Sequence, residues 1–374
     1  MSDSSLKTLL PEGLRDVLPP DAAFEGHVVD RLCRVFAANG YDLVRPPLVE
    51  FEDSLLSGVG AAMSGRIFRL LDPVSHRTLG VRTDITTQIA RLAGTRLAAA
   101  PRPLRLMYAG PVLRVRGTQL EPERQFTQAG LELIGVHDVA ADAEVIAVIV
   151  DAVRDVGASG LVVDVALPTL VPAIVGTVDA GLRAALDHKD IAEVSASAGK
   201  FGRLLASISL ASGPIEQAIQ QMASLEMPQK AAREWNAVVS LCDQLKKMVP
   251  GLQVTVDTVE SRGFEYHSGL TFSVFAAGSQ REIGRGGRYL LPSGEPATGA
   301  TLLVDPLIHA LPPSQPTKRI FIVAETERSE VRRLQHDGWS TVMALNGAGD
   351  ARSEAIRLGC SHVAERGHIV AVDA

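Results

Sequence analysis

The chain has 374 residues, enough for one large domain and a smaller one. Its net charge of -6 argues mildly against a protein that grips a tRNA or DNA backbone, since such proteins usually carry a basic excess. Three widely spaced cysteines, without a Cys-x-x-Cys pair, make a disulfide framework or a structural zinc site unexpected. The chain shows neither an apolar signal segment nor a run long enough to span a membrane, so we expect a soluble cytoplasmic protein.

The first hundred residues predict a helix followed by short strands. Residues 21–39 have the apolar spacing of an amphipathic helix, and Gly40 is a plausible stop. The next run favours a strand, but Pro46 and Pro47 cannot donate backbone hydrogen bonds within a sheet, so this strand is expected to lie at a sheet edge or to end there. The segment TLGVRTD then predicts a strand that carries Arg82 and Asp84, with a helix after it.

The middle of the chain predicts an antiparallel sheet with helices beside it. Residues 104–115 and 124–135 alternate around a polar loop, which is typical of an antiparallel hairpin. A helix near residues 138–156 and a strand follow, and the pattern is then helical from about 168 to 248 before strands resume. This order indicates an α+β domain with a helical insertion at about 168–248.

The last part of the chain predicts a separate small module. The stretch LPPSQPT, residues 311–317, has the composition of a linker. Strands and helices alternate after it, which favours a small α/β domain over residues 318–374. We therefore expect two domains, 1–311 and 318–374.

Familiar catalytic motifs are missing from the sequence. It contains no P-loop, no Gly-x-Ser-x-Gly elbow and no His-Glu-x-x-His, and its nine histidines are dispersed. The glycine-rich Gly284–Gly287 precedes no helix, so a tight turn or a close backbone approach is the expectation. We predict no catalytic residue, no cofactor and no metal.

Polar residues on the predicted hairpin are more informative. Gln128 and Glu132 are four apart on a strand, so their side chains share a face with Phe126, and Arg114 lies on the partner strand. Each of them alone would ordinarily face solvent. Together they predict a ligand cleft, because similar charged residues occur on other predicted strands.

The chemistry of this face suits a free amino acid. An ammonium group needs an acidic partner, and a carboxylate forms bidentate, charge-assisted hydrogen bonds with arginine. Asp84, Gln128 and Glu132 suit the ammonium and a polar side chain. Arg114 and Arg262 suit the carboxylate or another anion.

Four segments then resemble a known family. RLMYAGPVLRVRGTQLEPERQFTQAGLELIG resembles motif 2 of the class II aminoacyl-tRNA synthetases, in the histidyl form. GYDLVRPPLVEFED is similar to motif 1, which forms that family's dimer interface; VRTD is similar to its acidic amino-acid contact, and SRGFEYHSG to its histidine-specific signature. The resemblance covers residues 10–310 and implies a class II fold. It also implies a histidine pocket formed by Asp84, Arg114, Gln128, Glu132, Arg262, Tyr266 and His267.

The sequence departs from the synthetase pattern mainly around the nucleotide. Arg116 stands where the family has a glutamate, Pro122 where it has a second arginine, and Pro306 where motif 3 has an arginine on the ATP phosphates. Losing one donor from such a site typically costs roughly 3–4 kcal/mol of barrier. These changes predict that adenylation is lost. His267 in place of a second tyrosine, and Asp84 in place of glutamate, alter the histidine side less.

A kept amino-acid pocket beside a broken ATP site resembles the regulatory subunits of ATP phosphoribosyltransferase. That resemblance implies a partner, the short-form catalytic subunit, in a hetero-octamer that contains dimers of this chain. It implies feedback control by histidine in histidine biosynthesis, with no tRNA and no membrane partner. Two alternatives stay open: an active histidyl-tRNA synthetase with degenerate motifs, and a non-catalytic paralogue that senses an amino acid for another protein.

Overall fold

The computed structural model of the chain describes residues 9–57, 60, 64–117, 122–260, 267–313, 318–345, 350–365 and 367–372. Contacts within the chain divide it between Pro312 and Pro313 into two compact units. Each unit is described by itself below.

A mixed, mainly antiparallel sheet of nine described strands forms the centre of the first unit. Its order is β1-β5-β6-β12-β11-β10-β7-β9-β8, and only the pairs β1–β5 and β7–β9 are parallel. The strands are β1 (Asp42–Leu43), β5 (Leu104–Leu113), β6 (Gln125–Ile134), β7 (Val162–Ala166), β8 (Gly213–Pro214), β9 (Gln253–Asp257), β10 (His267–Phe275), β11 (Gly284–Leu290) and β12 (Pro296–Leu303). This is the predicted α+β class, with the predicted hairpin as β5 and β6.

Helices cover the two faces of this sheet unequally. Helix α4 (Val139–Asp155) packs against β6 and β12, and α1 (Asp21–Ala38) packs against β5, because inward residues such as Leu131 and Leu133 alternate along the strand. Helix α3 (Thr86–Gly94) covers part of the other face, where Ile89 packs with Ile134. The helices of this unit are α1 (Asp21–Ala38), α2 (Glu52–Leu55), α3 (Thr86–Gly94), α4 (Val139–Asp155), α5 (Leu170–Val175), α6 (Ala180–Asp187), α7 (Ile191–Ser197), α8 (Gly202–Leu210), α9 (Ile215–Met222), α10 (Gln229–Met248) and α11 (Val304–His309).

The segment from α5 to α10 is the predicted helical insertion. It enters after β7 and returns to β9, and it adds the two-residue strand β8 to the sheet edge. Apolar residues such as Trp235 and Leu241 of α10 join the core that α4 shares with the sheet. The insertion therefore packs as part of the first unit.

Strands near the amino terminus differ in part from the prediction. Both parts of the prediction for the strand near the prolines are confirmed: among the described strands β1 pairs with β5 alone, at the sheet edge, and it ends at Leu43, before Pro46. A second small sheet, in the order β2-β4-β3, follows it: β2 (Val49–Phe51), β3 (Arg69–Leu71) and β4 (Thr78–Val81). The prediction that Arg82 and Asp84 lie on a strand is wrong, because β4 ends before them and they form the turn into α3.

The second unit is a four-stranded sheet in the order β14-β13-β15-β16. Strands β14, β13 and β15 are parallel, whereas β16 is antiparallel to β15, because only two residues separate these two strands. The elements are β13 (Arg319–Ile322), α12 (Arg328–His336), β14 (Ser340–Met343), α13 (Ala351–Arg357), β15 (His362–Glu365) and β16 (His368–Ala371).

Candidate functional site: a cavity on the sheet

A cavity of about 370 Å³ opens on the sheet face that α3 partly covers. Strand register explains its position. Glu132 on β6 lies opposite Gly299 on β12, and Gly299 lies opposite Gly287 on β11. Because side chains on one face alternate along each strand, this row carries a carboxyl group followed by two positions without side chains. A hollow therefore forms directly beside Glu132.

Both floor positions require glycine. A Cβ atom at Gly299 would lie 1.6 Å from Glu132 Oε2. A Cβ atom at Gly287 would lie 2.7 Å from the Leu270 carbonyl oxygen and 2.9 Å from His267 Cδ2, on a backbone with φ of +154°. The glycine-rich run was predicted to form a turn or a close backbone approach. The second reading is confirmed, since the run lies within β11.

Glu132 is the most buried acid of the cavity, with 1% of its surface exposed. The Tyr289 hydroxyl donates to its Oε2 at 2.8 Å, and the Tyr108 hydroxyl lies 3.5 Å from its Oε1. Burial raises the pKa of Glu132 to about 8, although the Tyr289 hydrogen bond partly opposes the rise. Among the described residues no basic side chain forms an ion pair with it.

A second acid stands on the turn that precedes α3. Gln128 Nε2 donates to Asp84 Oδ2 at 3.1 Å, and the Thr86 amide donates to Asp84 Oδ1 at 2.7 Å. The Ile85 amide in turn donates to Gln128 Oε1 at 3.2 Å, which fixes the orientation of that side chain. Asp84 and Gln128 thus form a rigid polar pair at the wall of the cavity.

Arginines supply the positive charge of the lining. The guanidinium of Arg114 lies over the Phe126 ring, 4.3 Å from its centroid. Arg66 and Arg285 also line the cavity, and Arg285 forms an ion pair with Glu282. Arginines from three separate segments therefore line the cavity, and a guanidinium group is the usual partner of a ligand carboxylate.

Five of the seven residues predicted for the site line this one cavity: Asp84, Arg114, Gln128, Glu132 and His267. The other two, Arg262 and Tyr266, lie outside the described residues. Sequence reasoning missed further lining residues, and the period-2 alternation of Arg285, Gly287 and Tyr289 was the signal that could have found those on β11.

Arg82 does not line the cavity. Its guanidinium donates to the Pro111 carbonyl at 2.8 Å and to the Pro46 carbonyl at 3.1 Å, and it lies 3.4 Å from Gln88 Oε1. Burial lowers its pKa, which is the expected effect of a poorly solvated cation. This arginine joins the chain before α3 to β5 and to the proline segment, so its role is structural.

The three positions that depart from the synthetase pattern on its nucleotide side, Arg116, Pro122 and Pro306, are not among the residues that line the cavity. Arg116 and Pro122 are exposed near the hairpin loop. Pro306 lies in the first turn of α11, where it lines a small pocket of about 30 Å³ with Phe126. The neighbouring Asp305 accepts a hydrogen bond from Arg15 at 3.2 Å. In the part of the chain that the structure describes, no cluster of acids, histidines and cysteines has the geometry of a metal site.

Known proteins resemble this chain over most of its length. Residues 13–307 match the family model described as histidyl-tRNA synthetase. A protein of Paramagnetospirillum magneticum called ATP phosphoribosyltransferase regulatory subunit is 50% identical over 368 residues, with 97% of each chain covered. The chain belongs to the family of ATP phosphoribosyltransferase regulatory subunits. A second member, from Rhodospirillum centenum, is 46% identical and covers 96% of this chain and 95% of its own length.

Solved structures agree with this family and its fold. A Bacillus halodurans protein, titled as an ATP phosphoribosyltransferase regulatory subunit/histidyl-tRNA synthetase, has a TM-score of 0.78 and 26% identity, with 93% of this chain and 96% of that one covered. Histidyl-tRNA synthetase from Nostoc also has a TM-score of 0.78, at 16% identity and with 95% and 90% covered, which supports the class II fold alone. Of the helices that the structure describes, none has the length and apolar character to cross a membrane.

Proposed function

We propose that this chain is the non-catalytic regulatory subunit of a cytoplasmic ATP phosphoribosyltransferase. In this role it activates a short catalytic subunit and transmits feedback inhibition by histidine, so it acts in histidine biosynthesis. Its dimers assemble with catalytic subunits in a hetero-octamer that binds neither tRNA nor membrane. The main support is the cavity, where Glu132 and the Asp84–Gln128 pair meet arginines on a class II sheet.

Histidine fits the distribution of charge in this cavity. Its ammonium pairs with Asp84, which Gln128 and a backbone amide hold in place. Its carboxylate pairs with Arg114, which lines the cavity, together with Arg262. The side chain then extends over the glycine floor toward Glu132. The residues proposed to bind histidine are Asp84, Arg114, Gln128, Glu132, Arg262, Tyr266 and His267.

The residues at the positions that bind ATP in the synthetases support the loss of adenylation. An adenylating site needs donors preorganised on the ATP phosphates. Proline at positions 122 and 306 offers neither a positive charge nor a backbone N–H, and Arg116 reverses the charge of the residue expected there. The amino-acid half of the site therefore serves recognition without chemistry.

Regulation requires histidine to bind two quaternary states with different affinity. The coupling free energy is then the difference between the binding free energies of histidine in the two quaternary states. Coupling is reciprocal: if histidine changes the affinity of a ligand of the catalytic subunit by some factor, that ligand changes the affinity of histidine by the same factor. A purely local binding event, equal in both states, would leave the partner's activity unchanged.

The direct test is titration calorimetry of histidine with this chain, alone and in complex with the short transferase. Binding in the complex, with inhibition of the transferase over the same concentration range, is the expected result. Glu132→Ala should reduce histidine sensitivity at least tenfold, whereas Glu226→Ala, at an exposed glutamate, should leave it unchanged. No histidine binding in either state would refute the assignment.

The main alternative is an active histidyl-tRNA synthetase, which the description of the matching family model favours. Histidine-dependent pyrophosphate exchange separates the two, since the regulatory subunit should show none. A third reading, a histidine sensor for an unrelated protein, predicts that the chain fails to co-purify with the short transferase.

A further inference from the structure

One face of the sheet in the second unit is covered only in part. Helix α12 packs against β14 on one face, and α13 packs over β13 and β15 on the other. A helix is about 10 Å wide and neighbouring strands lie about 4.8 Å apart, so one helix covers about two strands. Strand β14, at the edge of the sheet, therefore extends beyond the cover that α13 gives.

A cavity of about 890 Å³ lies at this partly covered edge. Val342 and Ala344 of β14 line it, together with Val323, which follows β13, and Leu358, which follows α13. All four side chains are only half-buried. Leu345 also lines the cavity and is 93% exposed. These five residues form an apolar surface beside α13, which we call the α13 groove.

Acids predominate among the charged residues that the structure describes around this groove. Four lining residues are acids and two are arginines. One of the acids, Glu354, forms an ion pair with Arg357. The other acids outnumber the remaining arginine, Arg352, by three to one, and all of them are exposed: Glu325, Asp350 and Glu365. An apolar groove with an acidic rim is complementary to a partner that carries basic residues beside apolar ones.

The position of the groove suits a helix better than a strand. Residues 342–345 extend about 13 Å, a length that a helix of about nine residues spans. A strand added at the edge of β14 would lie in the plane of the sheet and leave Val342 and Ala344 open. A helix placed beside α13, at the spacing of about 8–10 Å that packed helices adopt, covers both side chains.

We propose that the α13 groove docks a basic amphipathic helix of the short catalytic subunit. Apolar anchors of that helix, spaced i, i+3, i+4 and i+7, lie on Val342, Ala344 and Leu345, and its basic residues face Glu325 and Glu365. The identity of the partner rests on the proposed function. The relative from Paramagnetospirillum magneticum matches over 97% of this chain, so the match includes most of the second unit.

The experiment measures the affinity of the full chain for the short transferase by biolayer interferometry. Leu345→Glu should weaken binding at least tenfold, because it places a charge in the apolar groove. The side chain is 93% exposed, so the substitution leaves the fold intact. Ile356→Glu is the matched control, since this residue of α13 is 48% exposed and is not part of the lining. Equal affinity of Leu345→Glu and the natural chain, or an equal loss in both variants, would overturn the inference.

A second pair of variants tests the charge of the partner. Glu325→Lys should weaken binding at least threefold at low salt, and this loss should disappear toward 1 M salt, where the Debye length is about 3 Å. Glu327→Lys makes the same change at an exposed acid that does not line the groove, so it should leave the affinity unchanged. Stronger binding by Glu325→Lys would overturn the basic character of the docked helix.

Sedimentation of the chain alone tests a different occupant, a second copy of this chain. A mass that falls in Leu345→Glu but not in Ile356→Glu would assign the groove to that copy and overturn the inference. The same mass in both variants is expected. If the natural chain does not associate with the short transferase at all, the proposed function is refuted and the docking with it. Normal association that is insensitive to Leu345→Glu refutes the docking alone.

Discussion

Gly299 and Glu132 face each other across β12 and β6 so closely that a Cβ atom at position 299 would lie 1.6 Å from the carboxyl oxygen. The cavity thus depends on a residue that offers no functional group. We predict that Gly299→Ala displaces the Glu132 side chain and lowers histidine affinity at least tenfold in calorimetry. Gly26→Ala is the control, because a Cβ there meets nothing within 4 Å. Unchanged affinity in Gly299→Ala would contradict the cavity as the binding site.

The buried Glu132 also predicts a pH dependence of stability. The pKa of Glu132 is about 8 in the folded chain and about 4.3 in the unfolded chain. Its contribution to the free energy of unfolding is therefore complete below about pH 4, where both states are protonated, and is lost as the pH rises to about 8. Glu132→Gln removes this loss. In urea unfolding, the free energy of unfolding of the variant minus that of the natural chain should increase by on the order of 1 kcal/mol per pH unit between about pH 5 and 8. For the control Glu226→Gln, the difference in unfolding free energy from the natural chain should stay the same across this pH range. A difference that also stays the same for Glu132→Gln would contradict the prediction.

An ion pair buried on the opposite face of the sheet should be costly to break singly. Arg288 Nε donates to both Asp142 oxygens at 2.9 Å, and Thr298 donates to the same carboxylate at 2.9 Å. Asp142 is fully buried, so Arg288→Met should cost about 3–5 kcal/mol in denaturant unfolding.

The double substitution Arg288→Met with Asp142→Leu tests the reason for that cost. Removing both charges should recover most of the loss, because no charge is then left buried alone. Arg333→Met, which removes an exposed partner of Glu330, should cost less than about 1 kcal/mol. A double variant as unstable as the single one would assign the loss to packing instead.

Arg82 should stabilise the folded chain through the several N–H donors of its planar guanidinium group. Arg82→Lys keeps the charge but cannot reach the Pro111 and Pro46 carbonyls together, so we expect a loss of about 1–3 kcal/mol in unfolding. Arg77→Lys, at an exposed ion pair, should change stability by less than about 1 kcal/mol. Equal effects would contradict the structural role given to Arg82.

The alternation of side chains along a strand was enough to predict the part of the site that lies on the β5–β6 hairpin. Gln128 and Glu132 share a face because strand side chains alternate, and the two runs around the polar loop were sufficient to place them opposite β5. The turn before α3 was harder, since the sequence TLGVRTD does not show where β4 ends. Arg82 and Asp84 looked equivalent in that segment, yet one satisfies carbonyl groups and the other lines the cavity.

Long-range pairing explains what the sequence did not reveal. The floor exists because β12 lies between β6 and β11 in one particular register, which aligns Glu132, Gly299 and Gly287. No local pattern states which strands become neighbours, so Tyr289 could not be recognised as a partner of Glu132. The pKa of Glu132 was equally hidden, because it follows from burial.

A floor made only of hydrogen-bonded backbone has an evolutionary consequence. Mutation cannot reshape it gradually, since any side chain added at Gly299 or Gly287 collides with its neighbours. Divergence toward another ligand must therefore proceed through the surrounding walls, at a few positions contributed by β6, by β10 and by the turn before α3. The same scaffold can change what it recognises by a few side-chain substitutions while the backbone and the register of its central strands stay the same.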